Sequence, residues 1–190
     1  MTVLLILDRD GVLNAESPER YVRRPAQWRW LPGSLVALGV FQEAGWRLAV
    51  ATNQSGVGRG LMTGAALDAV HARMSAEAAA RGVHFAAIRA CPHAPWAGCT
   101  CRKPRPGLLL GLLDLLGERP EAALLIGDAI RDLTAARAAG VRAALVRTGK
   151  GATCEPEARQ QGLATAGVFD DLLAASRALA VARRGAPGFG

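Results

Sequence analysis

Two aspartates one residue apart, Asp8 and Asp10, close the short apolar run Val3-Leu4-Leu5-Ile6-Leu7 and lead into Gly11. The run is rich in branched residues, as in the central strand of a parallel sheet. In open α/β sheets ligands bind just beyond the carboxyl ends of such strands, where chemistry is usually done. Alternate strand residues point the same way, and glycine permits a tight turn beside a ligand. Alone, an Asp-x-Asp-Gly is equally consistent with a solvated strand-end turn. Three later stretches weigh against that. Thr52-Asn53-Gln54-Ser55 follows the apolar Trp46–Ala51, and Asp128, with Asp132 four residues on, follows Ala122–Gly127. Arg102-Lys103-Pro104 lies between them. Brought together, these residues offer an acidic cation site, neutral donors for oxyanions and a fixed ammonium. That set suits phosphoryl transfer, where positioning and charge stabilisation carry the catalysis. Hard oxygen ligands of this kind favour Mg2+.

A second constellation is made of softer ligands. Cys91, His93, Cys99 and Cys101 form C-x-H-x5-C-x-C within eleven positions. Four such ligands suit tetrahedral Zn2+ with no open position, a structural site. The competing readings are four unrelated residues or a regulatory disulfide. The loop holds Pro92, Pro95 and Gly98 and little apolar material, so a metal would have to organise it. Because it ends immediately before Arg102 and Lys103, it should hold that cationic pair over the phosphate crevice. Cys154, beside Glu155-Pro156, is a bystander.

The elements that must position these groups follow from the apolar pattern. Strands are expected at Val3–Leu7, Trp46–Ala51, Phe85–Ala90, Ala122–Gly127, Val141–Val146 and, shorter, Gly167–Phe169. Helices are expected from Leu35 to near Gly45, from a Thr63 cap to about Arg81, from Pro106 to Gly117, from Ile130 to Ala139 and from Asp170 to about Ala182. Asn14 to Leu31, with Pro18, Pro25, Tyr21, Trp28 and Trp30, reads as irregular, and a loop of that length beside an active strand end is usually functional. Strands alternating with helices give a parallel, doubly wound α/β sheet. The expectation is one domain, 1–182, containing the metal loop 91–101, with a frayed tail at 183–190.

Composition narrows the class. The 190 residues suffice for one full core, and 51% hydrophobic against 21% charged residues argues against disorder. No apolar run is long enough to cross a bilayer, and the first residues lack the basic start of a signal peptide. A cytoplasmic protein is expected. The net charge of +7 comes from scattered arginines, without a basic block or interleaved aromatics, which favours an anionic small molecule over nucleic acid.

Taken in order, Asp8-Arg9-Asp10-Gly11-Val12, Thr52, Lys103 and Gly127-Asp128 with Asp132 resemble the four motifs of the haloacid dehalogenase superfamily of phosphatases, over nearly the whole chain. The resemblance implies a Rossmann-like fold in which Asp8 is the nucleophile and Asp10 the general acid and base. It also implies that Thr52 and Lys103 contact the phosphoryl group. Asp8, Asp128 and the Asp10 main-chain carbonyl would hold Mg2+, with Asp132 supporting them. The Zn2+ loop narrows the resemblance to the branch of heptose bisphosphate and histidinol phosphatases, compact enzymes without a large cap domain. Thr52–Gly60 and Val146–Lys150 are more similar to the heptose enzymes. The implied substrate is D-glycero-D-manno-heptose 1,7-bisphosphate, losing its C7 phosphate. Matching substrate contacts are Asn14, Thr52, Asn53, Gln54, Ser55, Arg102 and Lys103, with Arg20, Arg23, Arg24 or Arg59 as further cations for the second phosphate. A monomer is expected. The alternatives are histidinol phosphate as substrate, or a non-catalytic zinc-knuckle binding module.

Overall fold

In the computed structural model, residues 3–15 and 21–184 are described, the side chains of 181–184 excepted. Six strands form one parallel sheet: β1 (Val3–Leu7), β2 (Trp46–Asn53), β3 (Phe85–Cys91), β4 (Ala123–Gly127), β5 (Arg142–Val146) and β6 (Gly167–Phe169). Their order across the sheet is β3-β2-β1-β4-β5-β6. Strand β1 is central because its residues are apolar on both faces, and Leu4 to Leu7 are wholly buried. It pairs with β2 (Leu5 against Leu48) and with β4 (Leu5 against Leu124). The chain winds outward in opposite senses from β1 and β4, so a crevice opens between their carboxyl ends.

The helices are α1 (Ser34–Glu43), α2 (Gly64–Ala79), α3 (Gly107–Leu116), α4 (Ile130–Ala138), α5 (Gly151–Gln160) and α6 (Leu172–Arg184). Strand alternation divides the core into two layers. Leu5 and Leu7 face Leu38 and Phe41 of α1, Met74 of α2 and Ala175 of α6. Leu4 and Ile6 face Leu109 and Leu112 of α3, Leu133 of α4 and Ala158 of α5. Thr63 caps α2 by accepting from the Ala66 amide at 3.1 Å, and Gly117 ends α3 at φ +65°.

The expected elements are present with small shifts, and one was missed. Between β5 and β6 the sequence reading had no helix, since Gly151, Pro156 and a polar composition conceal one. Helix α5 forms there because Ala158 is buried while Arg159 and Glu155 pair along its outer face at 2.7 Å. Helix α6 starts two residues later than expected, where the Asp171 side chain accepts from the Ala174 amide at 2.7 Å. It continues through 183–184, so the expected tail is helical at its start; residues 185–190 lie outside the described residues. So do Pro18 and Arg20. Among the described residues there is no separate cap domain.

Candidate active site

The carboxyl ends of β1, β2 and β4 bring the predicted residues together. Asp8 follows β1 and is held there by its amide, which donates to the Ile126 carbonyl at 3.0 Å. Its Oδ1 accepts from the Arg9 amide at 2.8 Å and lies 3.0 Å from Lys103 Nζ. That ammonium, wholly buried, also meets Asp132 Oδ1 at 2.7 Å and donates to the Ala51 carbonyl at 2.7 Å. Three acceptors thus fix the Lys103 head. Burial would lower its pKa, but Asp132 and Asp8 raise it, so the group stays charged. Asp132 is fixed in turn by the first turn of α4, where its Oδ2 accepts from the Ala129 amide at 3.1 Å.

Asp8, Asp128 and Asp132, all buried, offer carboxylate oxygens within 4.8 Å of one another. Asp128 Oδ2 accepts from the Lys150 amide at 2.9 Å, whereas its buried Oδ1 has no partner. Burial, with Asp8 and Asp132 alongside, pushes Asp128 up to about 7. Burial likewise holds Asp8 above the ordinary carboxylate range, despite Lys103. Lys103 is the fixed cation among them, and Arg131 approaches Asp8 only to 3.9 Å. A site with excess buried negative charge and an unpartnered carboxylate oxygen fits a hard divalent cation. Space around Asp128 is tight. Gly11 (φ +85°) and Gly149 (φ +58°) lie against its carboxylate, and a Cβ at either position would collide with Oδ2.

Asp10 points elsewhere. Arg9 Nη2 forks onto both its oxygens at 3.0 and 3.1 Å, Asn14 donates to Oδ1 at 2.9 Å and Gln54 to Oδ2 at 2.7 Å. Burial would raise its pKa, but the Arg9 charge and these hydrogen bonds bring it below the usual range. Gln54 also donates to Thr52 Oγ1 at 2.9 Å, leaving that hydroxyl its own proton to donate.

Of the residues matched to substrate contact, Asn53 has its side chain engaged at both ends with the Lys103 main chain, at 3.0 and 3.1 Å. It positions Lys103. Ser55 Oγ lies 3.1 Å from the Tyr21 hydroxyl, to which Arg59 donates at 3.0 Å. Arg102 lines a cavity of about 260 Å3 beside Lys103, together with Pro95, Gly98, Cys99, Pro104 and Arg105. Its buried Nη1 has no partner, which suits an incoming anion. Sequence reasoning missed Arg9, His71 and Arg131. Arg9 was visible only as the residue between the two aspartates, and the others carried no local signal.

The cysteine cluster is assembled just beyond β3. Cys91 Sγ lies 3.6 Å from His93 Nδ1 and 3.7 Å from Cys99 Sγ, and His93 Nδ1 lies 3.3 Å from Cys101 Sγ. A tetrahedron with Zn–S bonds of about 2.3 Å has edges of about 3.8 Å, so the donor set fits Zn2+. Arg105 donates to the Cys99 carbonyl, tying the loop to the cavity wall.

Fold and site define a doubly wound α/β protein with a phosphate-type site at the switch point between β1 and β4. A model of HAD-hydrolase-like proteins matches residues 100–175. The D-glycero-beta-D-manno-heptose-1,7-bisphosphate 7-phosphatase of Pseudomonas putida is 44% identical, covering 93% of this chain and 98% of its own. The D-glycero-alpha-D-manno-heptose-1,7-bisphosphate 7-phosphatase of Mycobacterium tuberculosis is 40% identical over 68% of both. The crystal structure of D,D-heptose 1,7-bisphosphate phosphatase from B. bronchiseptica, complexed with magnesium and phosphate, superposes with a TM-score of 0.85. It shares 40% identity over 94% of this chain and 98% of that one. The chain belongs to the haloacid dehalogenase-like phosphatases, in the heptose-1,7-bisphosphate 7-phosphatase family.

Proposed function

We propose that this chain is a Mg2+-dependent phosphatase that removes the C7 phosphate of D-glycero-D-manno-heptose 1,7-bisphosphate. The observation that carries the reading is the buried Lys103 ammonium 3.0 Å from Asp8, at a strand end shared with the acidic cluster. In the first step an Asp8 carboxylate oxygen attacks phosphorus, and the bond to the sugar oxygen breaks with its electron pair on that oxygen. Asp10, which rests ionised beside Arg9, must first take up a proton, and passing it to that oxygen makes a hydroxyl and leaves an aspartyl-phosphate on Asp8. In the second, water attacks phosphorus, Asp10 takes its proton, and Asp8 is regenerated as phosphate leaves. Lys103 and the Thr52 hydroxyl stabilise the phosphoryl oxygens. Mg2+, held by Asp8, Asp128 and the Asp10 carbonyl, would screen the approach of anion to carboxylate.

In this reading one domain, residues 1–182, acts as a monomer. No helix among the described residues is long and apolar enough to cross a membrane; three of the four cysteines gather in a zinc-type cluster and none is in a disulfide, in keeping with a cytoplasmic enzyme. A binding module for nucleic acid would have no use for Asp8 and Asp10 together.

The test is phosphate release with Mg2+ present and absent. Heptose 1,7-bisphosphate is expected to exceed histidinol phosphate in kcat/KM. Arg102→Ala should narrow the gap about ten- to hundredfold, the loss of a charged hydrogen bond of about 1.5–3 kcal/mol. A preference for histidinol phosphate would overturn the substrate assignment while leaving the phosphatase chemistry standing.

Cys91, His93, Cys99 and Cys101 are proposed to bind one Zn2+ that orders the loop. Elemental analysis of protein purified reduced and without chelator should return about one zinc per chain. Cys99→Ser should lower activity through a mobile Lys103, with all groups of the reaction still in the chain. Zinc-free protein with a full complement of activity would contradict this.

A further inference from the structure

The wholly buried residue between the two aspartates, Arg9, is unexplained by the reaction above. Its Nη2 forks onto Asp10, and its Nη1 lies 3.2 Å from His71 Nε2, in the middle of α2. Arginine can only donate, so Nε2 must be the accepting nitrogen and the ring proton sits on Nδ1. Burial and the Arg9 charge draw His71 down to about 4, which keeps it a neutral acceptor. The guanidinium lies 6.0 Å from the centroid of the Trp28 ring.

The surroundings fix these partners in place. Trp28 packs edge-on against Trp30 at 5.0 Å. Trp30 Nε1 donates to Glu77 Oε2 at 2.7 Å, and Arg73 ties Glu77 (2.7 Å) to the Pro25 carbonyl (2.9 Å). Residues 25–30 and helix α2 thus form one wall, and Arg9 spans from that wall to Asp10.

We propose that Arg9, oriented by His71, is a positioning residue that aims the Asp10 carboxyl for proton exchange with the leaving oxygen. The proposal rests on the phosphatase reading and adds to it. One nitrogen, Nη2, straddles both Asp10 oxygens, so the carboxyl keeps its orientation only while that nitrogen is held in place, and a planar guanidinium tethered at only one end can rotate away. His71 supplies the second tether. Substitution there should therefore act through Asp10, at a residue that touches neither phosphate nor metal ligands.

The experiment separates proton delivery from general damage. An alkyl leaving group needs a proton as the P–O bond breaks, whereas p-nitrophenolate leaves unprotonated. The kcat/KM ratio of sugar bisphosphate to p-nitrophenyl phosphate therefore reads how well Asp10 delivers its proton. His71→Leu, similar in bulk and unable to accept, should lower this ratio about tenfold, a fraction of the ~10²–10⁴ carried by general acid catalysis. His71→Gln, which retains an acceptor, should restore most of it. Arg9→Gln should lower the ratio further, and it serves as the second variant where His71→Leu folds poorly by circular dichroism. An equal fall on both esters, or no rescue by His71→Gln, would overturn the positioning role. A wild-type enzyme inert to both esters would overturn the phosphatase reading and this inference with it.

Discussion

Asp8→Asn should abolish turnover, by on the order of 10⁴–10⁶-fold, while the protein folds normally. An amide offers no anionic oxygen to phosphorus, yet it matches the carboxylate in shape and keeps an acceptor for the Arg9 amide and Lys103 Nζ. Stability should be unchanged or slightly raised in metal-free protein. The Asp8 carboxyl is held above its ordinary pKa in the fold, so the native state binds that proton more tightly than the unfolded chain. The stability this confers is present in acid and lost as pH rises through the folded pKa, and near neutrality the ionised group is a liability. Denaturant melts and phosphate release on the same preparation check both halves. Near-normal turnover by the variant would rule out an aspartyl-phosphate at this position.

Lys103→Met should damage both stability and activity. The ammonium is the shared partner of two buried carboxylates, Asp8 at 3.0 Å and Asp132 at 2.7 Å. Breaking a buried ion pair from one side leaves uncompensated charge and typically costs about 3–5 kcal/mol. That corresponds to a fall in Tm of about 10 °C for a chain of this size. The pH dependence has a defined sign. Asp132 and Asp8 hold the Lys103 pKa above its unfolded value, so its contribution is fully present at neutral pH and fades only in alkali. In the variant, the Asp8 carboxyl, already held above its ordinary range by burial, loses the opposing cation and is relieved by protonation, so the deficit against wild type should shrink as pH falls. A deficit that stays constant from neutral to acid pH would mean that packing of the aliphatic stem, rather than the charge network, had been lost.

The parts of this site that could be read in the sequence are those fixed by local pattern. A branched apolar run ending in an acid announces both a strand and the end at which its polar residues stand, so Asp8, Thr52 and Asp128 were legible together with the sheet. The four zinc-type ligands declared themselves by proximity along the chain. What stayed hidden depends on contacts that local periodicity does not encode. Arg9 meets His71 across 62 residues, and Asn53 meets Lys103 across 50. The Lys150 amide reaches Asp128 through main-chain geometry, to which the lysine side chain is irrelevant. Helix α5 was concealed because a short, polar segment containing Pro156 gains its order from burial of Ala158 against the sheet.

The strand order has a consequence for how the protein is made. Strand β1 is translated before the other five strands, but one of its two neighbours is β4, whose pairing joins Leu7 to Ile126. At synthesis rates of about 5–20 residues per second, that partner arrives on the order of ten seconds later. Throughout the interval one side of the most apolar strand lacks its native neighbour, open to mispairing or to a chaperone. Asp8 is likewise present in the nascent chain long before Lys103 and Asp128 exist to surround it. The nucleophile is thus translated before every group that surrounds it, and the site cannot be complete until Asp132 has followed.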